Sequence, residues 1–458
     1  DGLDLLQPRI GFNWTISPDV SLRGGIGLYS GGNPNVWMSN NFSNDGLRIA
    51  QLRESVIERD PPPAENCGEG RDFSLFDIPL TGGGNPLYDV PQCQFDAIAF
   101  AEPNSGVNAL DPGFELPKAW KYNLGVTWEF GGGYLVNSDL LYTQAEDSAI
   151  IINGTMEQTG FAPDGRPVYN DPRFFQSDYI LTNVKGSDAE SLQWSINLSK
   201  SYDNGFDWSL GYAWTDSKDV SPMNSSVAFS NYAQLSVRDP NNPGLATSNY
   251  NIPHRFSFRL GYSAYWWGDN RTNFSLVGSS NEGRPHSFTF TSDDGDGGQF
   301  GDPPNIGDWI SGRHLLYVPT GMNDPLVQFA DTFNTDAFFD FVDRNGLNKY
   351  SGKIAPRNEF NSDWWTWFDI RVEQEFPAFA KGHKFAGWFV IKNFCNLIND
   401  EWCVLRQVSF PQRQGIVDMQ ISEDGTQYVF EEFIEPSGQG RVTDPSLWEI
   451  RVGLTYRF

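Results

Sequence analysis

The end of the chain alternates strictly in character, and this alternation constrains the fold more than any other feature. Ile450, Val452, Leu454, Tyr456 and Phe458 share one face of an extended segment, while Glu449, Arg451, Thr455 and Arg457 share the other. Successive side chains on a strand point to opposite faces, so a period of two marks a sheet with one apolar and one polar surface. The same period recurs at about 7–16, 20–30, 118–130, 134–146, 188–201, 206–217, 253–266, 271–290, 360–376 and 383–394, which with 446–458 makes eleven segments. A tilted strand needs about 9–11 residues to cross a bilayer, and most of these segments are long enough.

The connections alternate in length. Short ones are Ser17-Pro18-Asp19, Gly131-Gly132-Gly133, Asp203-Asn204-Gly205, Gly268-Asp269-Asn270 and the stretch from Pro377 to Gly382. Gly and Asn in them tolerate the positive φ that tight hairpins demand. Long ones cover about 31–117, 153–187, 218–252, 291–358 and 395–445. Long loops are uncommon inside a compact soluble domain. Short turns on one side and long loops on the other are the pattern of an outer-membrane barrel. The expected fold class is therefore all-β, an antiparallel transmembrane β-barrel with long extracellular loops.

Charge supports the same division. Of the formal net charge of −26, the five long loops hold −21, so the strands are nearly neutral. Such an acidic chain repels phosphate backbones, which argues against nucleic acid as a partner. No apolar run approaches the roughly 18 residues of a spanning helix. The 35 Phe, 17 Tyr and 16 Trp are too many for a disordered chain. Aromatics near strand ends or on alternate faces, among them Tyr29, Tyr122, Tyr142, Trp365, Trp367 and Trp388, suit the girdles of a membrane barrel.

Parity sets the expected domain content. A single-chain bacterial barrel has an even number of strands, with both termini on the periplasmic side. If Phe458 ends there, the first segment must descend from outside, and eleven strands cannot close alone. Residues 1–458 are thus expected to be the C-terminal half of a barrel of about 22 strands, the size of plugged outer-membrane transporters.

Several segments carry a family likeness. They include Leu6-Gln-Pro-Arg-Ile-Gly-Phe-Asn-Trp14, Leu22-Arg-Gly-Gly-Ile-Gly-Leu-Tyr-Ser-Gly31, Trp37-Met-Ser-Asn-Asn-Phe-Ser-Asn-Asp-Gly46 and Trp120-Lys-Tyr-Asn-Leu-Gly125. Further ones are Gly283-Arg-Pro-His-Ser-Phe288, Leu315-Leu-Tyr-Val-Pro-Thr320 and Pro356-Arg-Asn-Glu-Phe360. In this order the chain resembles the C-terminal barrel of TonB-dependent outer-membrane receptors, in particular the Oar-like group. The resemblance implies residence in the outer membrane of a Gram-negative bacterium, amid lipid bilayer and lipopolysaccharide. It implies coupling to the TonB complex through an N-terminal part, with plug, TonB box and N-terminal domain absent from these residues. The alternating Ile450, Val452, Leu454, Tyr456 and Phe458 resemble the signal read by the barrel-assembly machinery.

Catalytic patterns are lacking. His254, His286, His314 and His383 have no i,i+4 His partner for a metal, and neither a G-x-S-x-G elbow nor a phosphate loop occurs. No enzyme is expected. His286, after Pro285, reads as a polar loop or rim residue. The best cofactor candidate is calcium. Asp293, Asp294, Asp296 and Asp302 gather hard oxygen ligands on a Gly-rich turn, although the loop lacks a clean final Glu. Glu431, Glu432 and Glu435 read as surface charge. Cys67 with Cys93 and Cys395 with Cys403 form two local pairs in Gly/Pro/Asp-rich segments, expected as disulfides of an oxidising compartment. Phe338, Phe339 and Phe341 alternate with Asp336, Asp340 and Asp343 as in a short amphipathic helix or lid edge. They and Trp364, Trp365 and Trp367 are candidates to line a solute vestibule, with girdle anchoring the stronger reading for Trp365 and Trp367.

The favoured function is binding of a scarce solute in extracellular loops for energised import. Acidic loops suit neutral or cationic solutes, or cation-bridged complexes, better than highly anionic ones. The alternative is a surface, adhesion or assembly protein with calcium-ordered acidic loops.

Overall fold

The computed structural model describes residues 6–30, 35–43, 106–170, 177–291, 299–301 and 312–458. One sheet, joined at its side by the two-residue strand Ala246–Thr247, consists of eleven antiparallel strands that pair in chain order. They are β1 (Arg9–Ser17), β2 (Val20–Ser30), β3 (Lys118–Phe130), β4 (Tyr134–Glu146), β5 (Glu190–Ser201) and β6 (Phe206–Asp219). The series continues with β7 (His254–Trp267), β8 (Asn270–Asn281), β9 (Trp365–Pro377), β10 (Lys384–Lys392) and β11 (Glu449–Arg457). Among the described residues β1 pairs only with β2, and β11 only with β10, so both lateral edges of the sheet are free.

The short connections are hairpins built on the residues that favour them. At the β5–β6 turn Gly205 has φ +87°, and a Cβ there would lie 2.1 Å from the Ser263 carbonyl oxygen of β7. Only glycine satisfies both demands.

The register separates two chemically distinct faces. One carries Phe12 beside Gly24, Leu124 beside Leu140, Leu198 beside Leu210 and Phe389 beside Val452. The other carries Asn123, Asn197, Ser209, Ser257 and Asn273 at corresponding positions. Large side chains on the first face remain exposed, Ile10, Val452 and Leu454 among them, because no layer of the described residues covers it. The buried cores lie elsewhere, in the long connections.

Those connections are folded. Between β8 and β9, and between β10 and β11, five strands form a mixed sheet in the order Val327–Phe329, Tyr428–Phe433, Arg413–Ile421, Pro285–Thr291, Phe360–Asn361. Helix Thr335–Arg344 packs on it, capped by Asn334, whose side chain accepts from the Ala337 amide at 3.1 Å. Phe288, Leu316, Phe338, Ile416 and Phe430 are buried in this core. A second core lies on the three-stranded sheet Asn108–Leu110, Tyr179–Asn183, Ala149–Asn153, where Ile151, Leu181 and Tyr232 pack together. Fully buried Arg313 joins the two, donating to the Tyr232 carbonyl at 2.9 Å with its guanidinium over the Tyr232 ring.

Two expected strand boundaries need correction. The segment 271–290 is two strands: β8 ends at Asn281, and Pro285–Thr291 leaves the wall to join the loop sheet. The break falls at Gly283, where a Cβ would meet the Ser362 backbone at 2.5 Å. Likewise Phe360–Asn361 belongs to the loop sheet and not to β9.

Candidate functional site

Two surfaces combine polar chemistry with concavity. The first is a cleft of about 490 Å³ in the loop layer, lined in part by Asp164, Arg238, Tyr317, Leu326, Lys353 and Arg357. Beneath it Arg166, fully buried, grips Asp164 through Nε at 2.9 Å and Nη2 at 2.5 Å. Burial pushes the Asp164 carboxyl up, but the Arg166 guanidinium outweighs it and holds the group below its ordinary range. The Arg166 guanidinium also lies 5.3 Å from the Phe290 ring and 4.8 Å from that of Phe300. Tyr317 donates to Asp324, whose carboxylate also accepts from the Thr320 amide at 2.6 Å and the Leu326 amide at 2.8 Å. Burial raises Asp324, yet these bonds leave it below its ordinary value. Arg357 fastens the cleft to the top of β6, reaching the Val220 carbonyl at 2.6 Å, the Asp219 carbonyl, and the Asp219 carboxylate at 3.0 Å.

The second surface is the polar face of the eleven-stranded sheet. Its charges pair across strands, Arg23 with Asp139 at 2.6 Å and Arg259 with Asp207 at 2.5 Å. Toward the C-terminus Glu373 accepts from Arg371 at 2.7 Å and from Arg457 at 3.0 Å. Glu375 accepts from Lys384 at 2.7 Å and from Arg457 at 3.0 Å. A hollow of about 400 Å³ opens on this face between β8 and β11.

The sequence candidates distribute unevenly over these surfaces. Cys395 and Cys403 are joined in a disulfide beside the outer end of β10. Cys67, Cys93 and the proposed calcium ligands Asp293, Asp294, Asp296 and Asp302 lie outside the described residues. Ile450, Val452, Leu454 and Tyr456 share the apolar face of β11, with Phe458 just beyond the strand. Glu435 is exposed and pairs with Arg344 at 3.1 Å, as a surface charge would.

Other candidates are corrected. Phe338 and Phe341 are buried and Phe339 half-buried in the loop core, so the Phe-rich helix lines no vestibule. The cause is the helical repeat, which turns Phe338 and Phe341 together onto the loop sheet. His286 is no polar rim residue: it is buried against Phe288 and Phe360, with Nδ1 unpartnered among the described residues. Trp365 and Trp367 pair with Asn281 and Ser279, and Trp388 with Glu373, placing all three on the polar face instead of an apolar girdle. Tyr29, opposite Ala119 and beneath Arg9, joins them there. Trp364 alone of its cluster stacks outward, on His254 at 6.5 Å and Phe256 at 6.1 Å. Sequence reading missed Arg357, because its pair with Asp219 joins residues 138 apart and leaves no local spacing signal. It missed Asp164 and Arg166, because a two-residue spacing does not show that the pair is buried.

A one-sided apolar sheet of tilted-strand length, with its folded core confined to one set of connections, suits a wall between lipid and water. A family model for the outer-membrane β-barrel domain matches residues 3–399. The chain belongs to the outer-membrane β-barrel domain family. This places it in the outer membrane of a Gram-negative bacterium, with the apolar face toward lipid and the polar face toward the barrel lumen. The short hairpins then lie on the periplasmic side and the loop layer outside the cell. No helix among the described residues is long and apolar enough to cross a membrane, so this β-barrel domain would cross with strands. No curated protein sequence matches the chain. Among solved structures it is similar to the outer-membrane transporter YddB from Escherichia coli, at 10% identity and a TM-score of 0.47, covering 98% of this chain and 40% of that one. It is also similar to the FrpB iron transporter (F3-3 variant) from Neisseria meningitidis, at 10% identity and a TM-score of 0.36, covering 86% and 35%. For the siderophore receptor PiuA from Acinetobacter baumannii the figures are 8% identity, a TM-score of 0.36, and coverage of 98% and 35%. The chain thus spans about 40% of the length of YddB and 35% of the other two.

Proposed function

We propose that this outer-membrane β-barrel domain is the C-terminal half of a TonB-dependent receptor of the Oar-like group, which captures a scarce solute in its extracellular loop layer for energised import. The observation that carries the reading is the eleven-stranded meander with both edges unpaired beneath a folded, clefted cap. Unpaired edges of a lipid-facing sheet are costly, because no water is present to satisfy their N–H and C=O groups. Strands from the rest of the same protein would satisfy them. A barrel of about 22 strands is wide enough to need a plug, and a plug needs an energy source to move.

In this scheme the present residues supply the wall and the outer binding layer, while the energised switch lies upstream. The test compares spent medium from the parent strain, a strain deleted for this gene and a strain lacking TonB. The expected result is one or more solutes left unconsumed in both mutants. Full depletion of every solute by the deletion strain would sink the import reading.

A further inference from the structure

The lumen wall of β7 to β11 is basic, although the chain as a whole is strongly acidic. On its polar face β7 contributes Arg255 and Arg259, β8 contributes Arg271 and β9 contributes Arg371. Lys384 and Lys392 of β10, with Arg451 and Arg457 of β11, bring the basic residues to eight. The acids on the same face of these strands are four, Asp369, Glu373 and Glu375 of β9 and Glu449 of β11, and Asp207 of the neighbouring β6 pairs with Arg259.

The pairing leaves a surplus. Arg451 and Lys392 share the single carboxylate of Glu449, at 2.7 and 3.7 Å. Arg371, Lys384 and Arg457 share two, Glu373 and Glu375. The surplus also spans the height of the wall. Lys392 and Arg451 stand at the loop end of their strands, Arg371 is in register with Val390 beside Arg451, and Lys384 faces Arg457 at the short-turn end. The hollow of about 400 Å³ is lined by Arg371, Lys392 and Arg451 with Trp388, against one acid, Asp369. Outside, the cleft offers Arg238 and Lys353, whereas Arg357 is buried against Asp219 and the one carboxylate of the lining, Asp164, is bound to Arg166.

We propose that this wall attracts and conducts an anionic solute, one bearing carboxylate or phosphate groups. The proposal rests on the import reading and adds a substrate class to it. A cleft lined by one sign of charge between low-dielectric walls focuses its field and raises the local concentration of the opposite charge. The acidic loop average, which favours neutral or cationic solutes, is reversed where a solute would pass.

The test uses the intact protein purified in detergent, with citrate and inorganic phosphate as separate probes and spermidine as a cationic comparison, each followed by calorimetry. Citrate, phosphate or both should bind saturably, and the affinity should fall at least about tenfold as ionic strength rises. Lys392→Gln with Arg451→Gln should weaken the same binding by about tenfold, given the loss of two charges in a confined site. The salt response of the unaltered protein keeps the test decisive if that variant fails to fold. No saturable binding of either anion, salt-insensitive binding, or tighter binding of spermidine would overturn the proposal. Salt-sensitive anion binding without a solute-uptake defect in the deletion strain would overturn the import reading alone. An uptake defect without anion binding would overturn only the present inference.

Discussion

A buried imidazole in the loop layer gives the protein a pH response. His286 is held between Phe288 and Phe360, and burial pushes its pKa down to about 4. In an opened loop layer it would titrate near its ordinary value of about 6.5. Between these values the open state binds a proton that the native state refuses. Stability of the layer is therefore full above about pH 6.5 and falls as the pH drops toward 4, by roughly 2–3 kcal/mol. Limited proteolysis of the intact protein across this range should show progressive opening of the loop sheet, and His286→Phe should flatten the profile. An unchanged pH profile in that variant would refute the assignment. Phe338 makes a larger contribution at every pH. It is fully buried between the Thr335–Arg344 helix and the ring of Phe430, so Phe338→Ala should cost about 3–5 kcal/mol through lost burial and the cavity left behind. The same proteolysis should then cut the loop layer while sparing the strands.

The wall strands were legible because each carries its own period, and a period of two fixes both the element and its faces. The ranges 118–130 and 134–146 coincide with β3 and β4. The loop layer was not legible, since its sheet joins Pro285–Thr291 to Arg413–Ile421 in parallel, across more than a hundred residues. Short strands paired at that separation have no local signature; Trp365 and Trp367 were misplaced for a related reason. Composition says that Trp suits an interface, but only register says which face it occupies, and theirs aligns them with Asn281 and Ser279. The local Cys395–Cys403 pair could be read because its two members lie close in sequence. That disulfide closes the turn after β10, where Asn393, at φ +47°, donates to the Cys403 carbonyl at 3.2 Å and the Ser446 carbonyl at 3.0 Å. Closing a loop of this size restricts the open state by about 2–3 kcal/mol in the chain-entropy account. Cys395→Ser with Cys403→Ser should speed hydrogen exchange over residues 393–405 and leave the centres of β10 and β11 unchanged. Equal exchange in the two proteins would show that the Asn393 bonds suffice alone.

Across the whole molecule the two open edges decide what these strands can do alone. The outer face of β1 exposes Ile10, Phe12 and Trp14, and that of β11 exposes Val452 and Leu454, so both edges are apolar where they would meet lipid. Among the described residues each also presents a row of unpaired backbone N–H and C=O groups, whose burial in hydrocarbon costs several kcal/mol apiece. Direct pairing of β1 with β11 would close the sheet with an odd number of strands. It would also set them parallel, since the eleven alternate in direction, while bacterial barrels close with antiparallel neighbours. On the proposed reading, an upstream odd set of strands would satisfy the edges, one pairing with β1 and another with β11. Residues 1–458 expressed alone with an export signal should therefore fail to give a compact, heat-modifiable barrel on a cold detergent gel. The intact protein should give one, and single cysteines placed in β1 and β11 of that protein should crosslink to upstream strands and not to each other. A compact monomer from the isolated chain, or a direct β1–β11 crosslink, would overturn the half-barrel reading. Either result would leave untouched the division of this chain into an apolar outer face, a basic lumen wall and a folded cap.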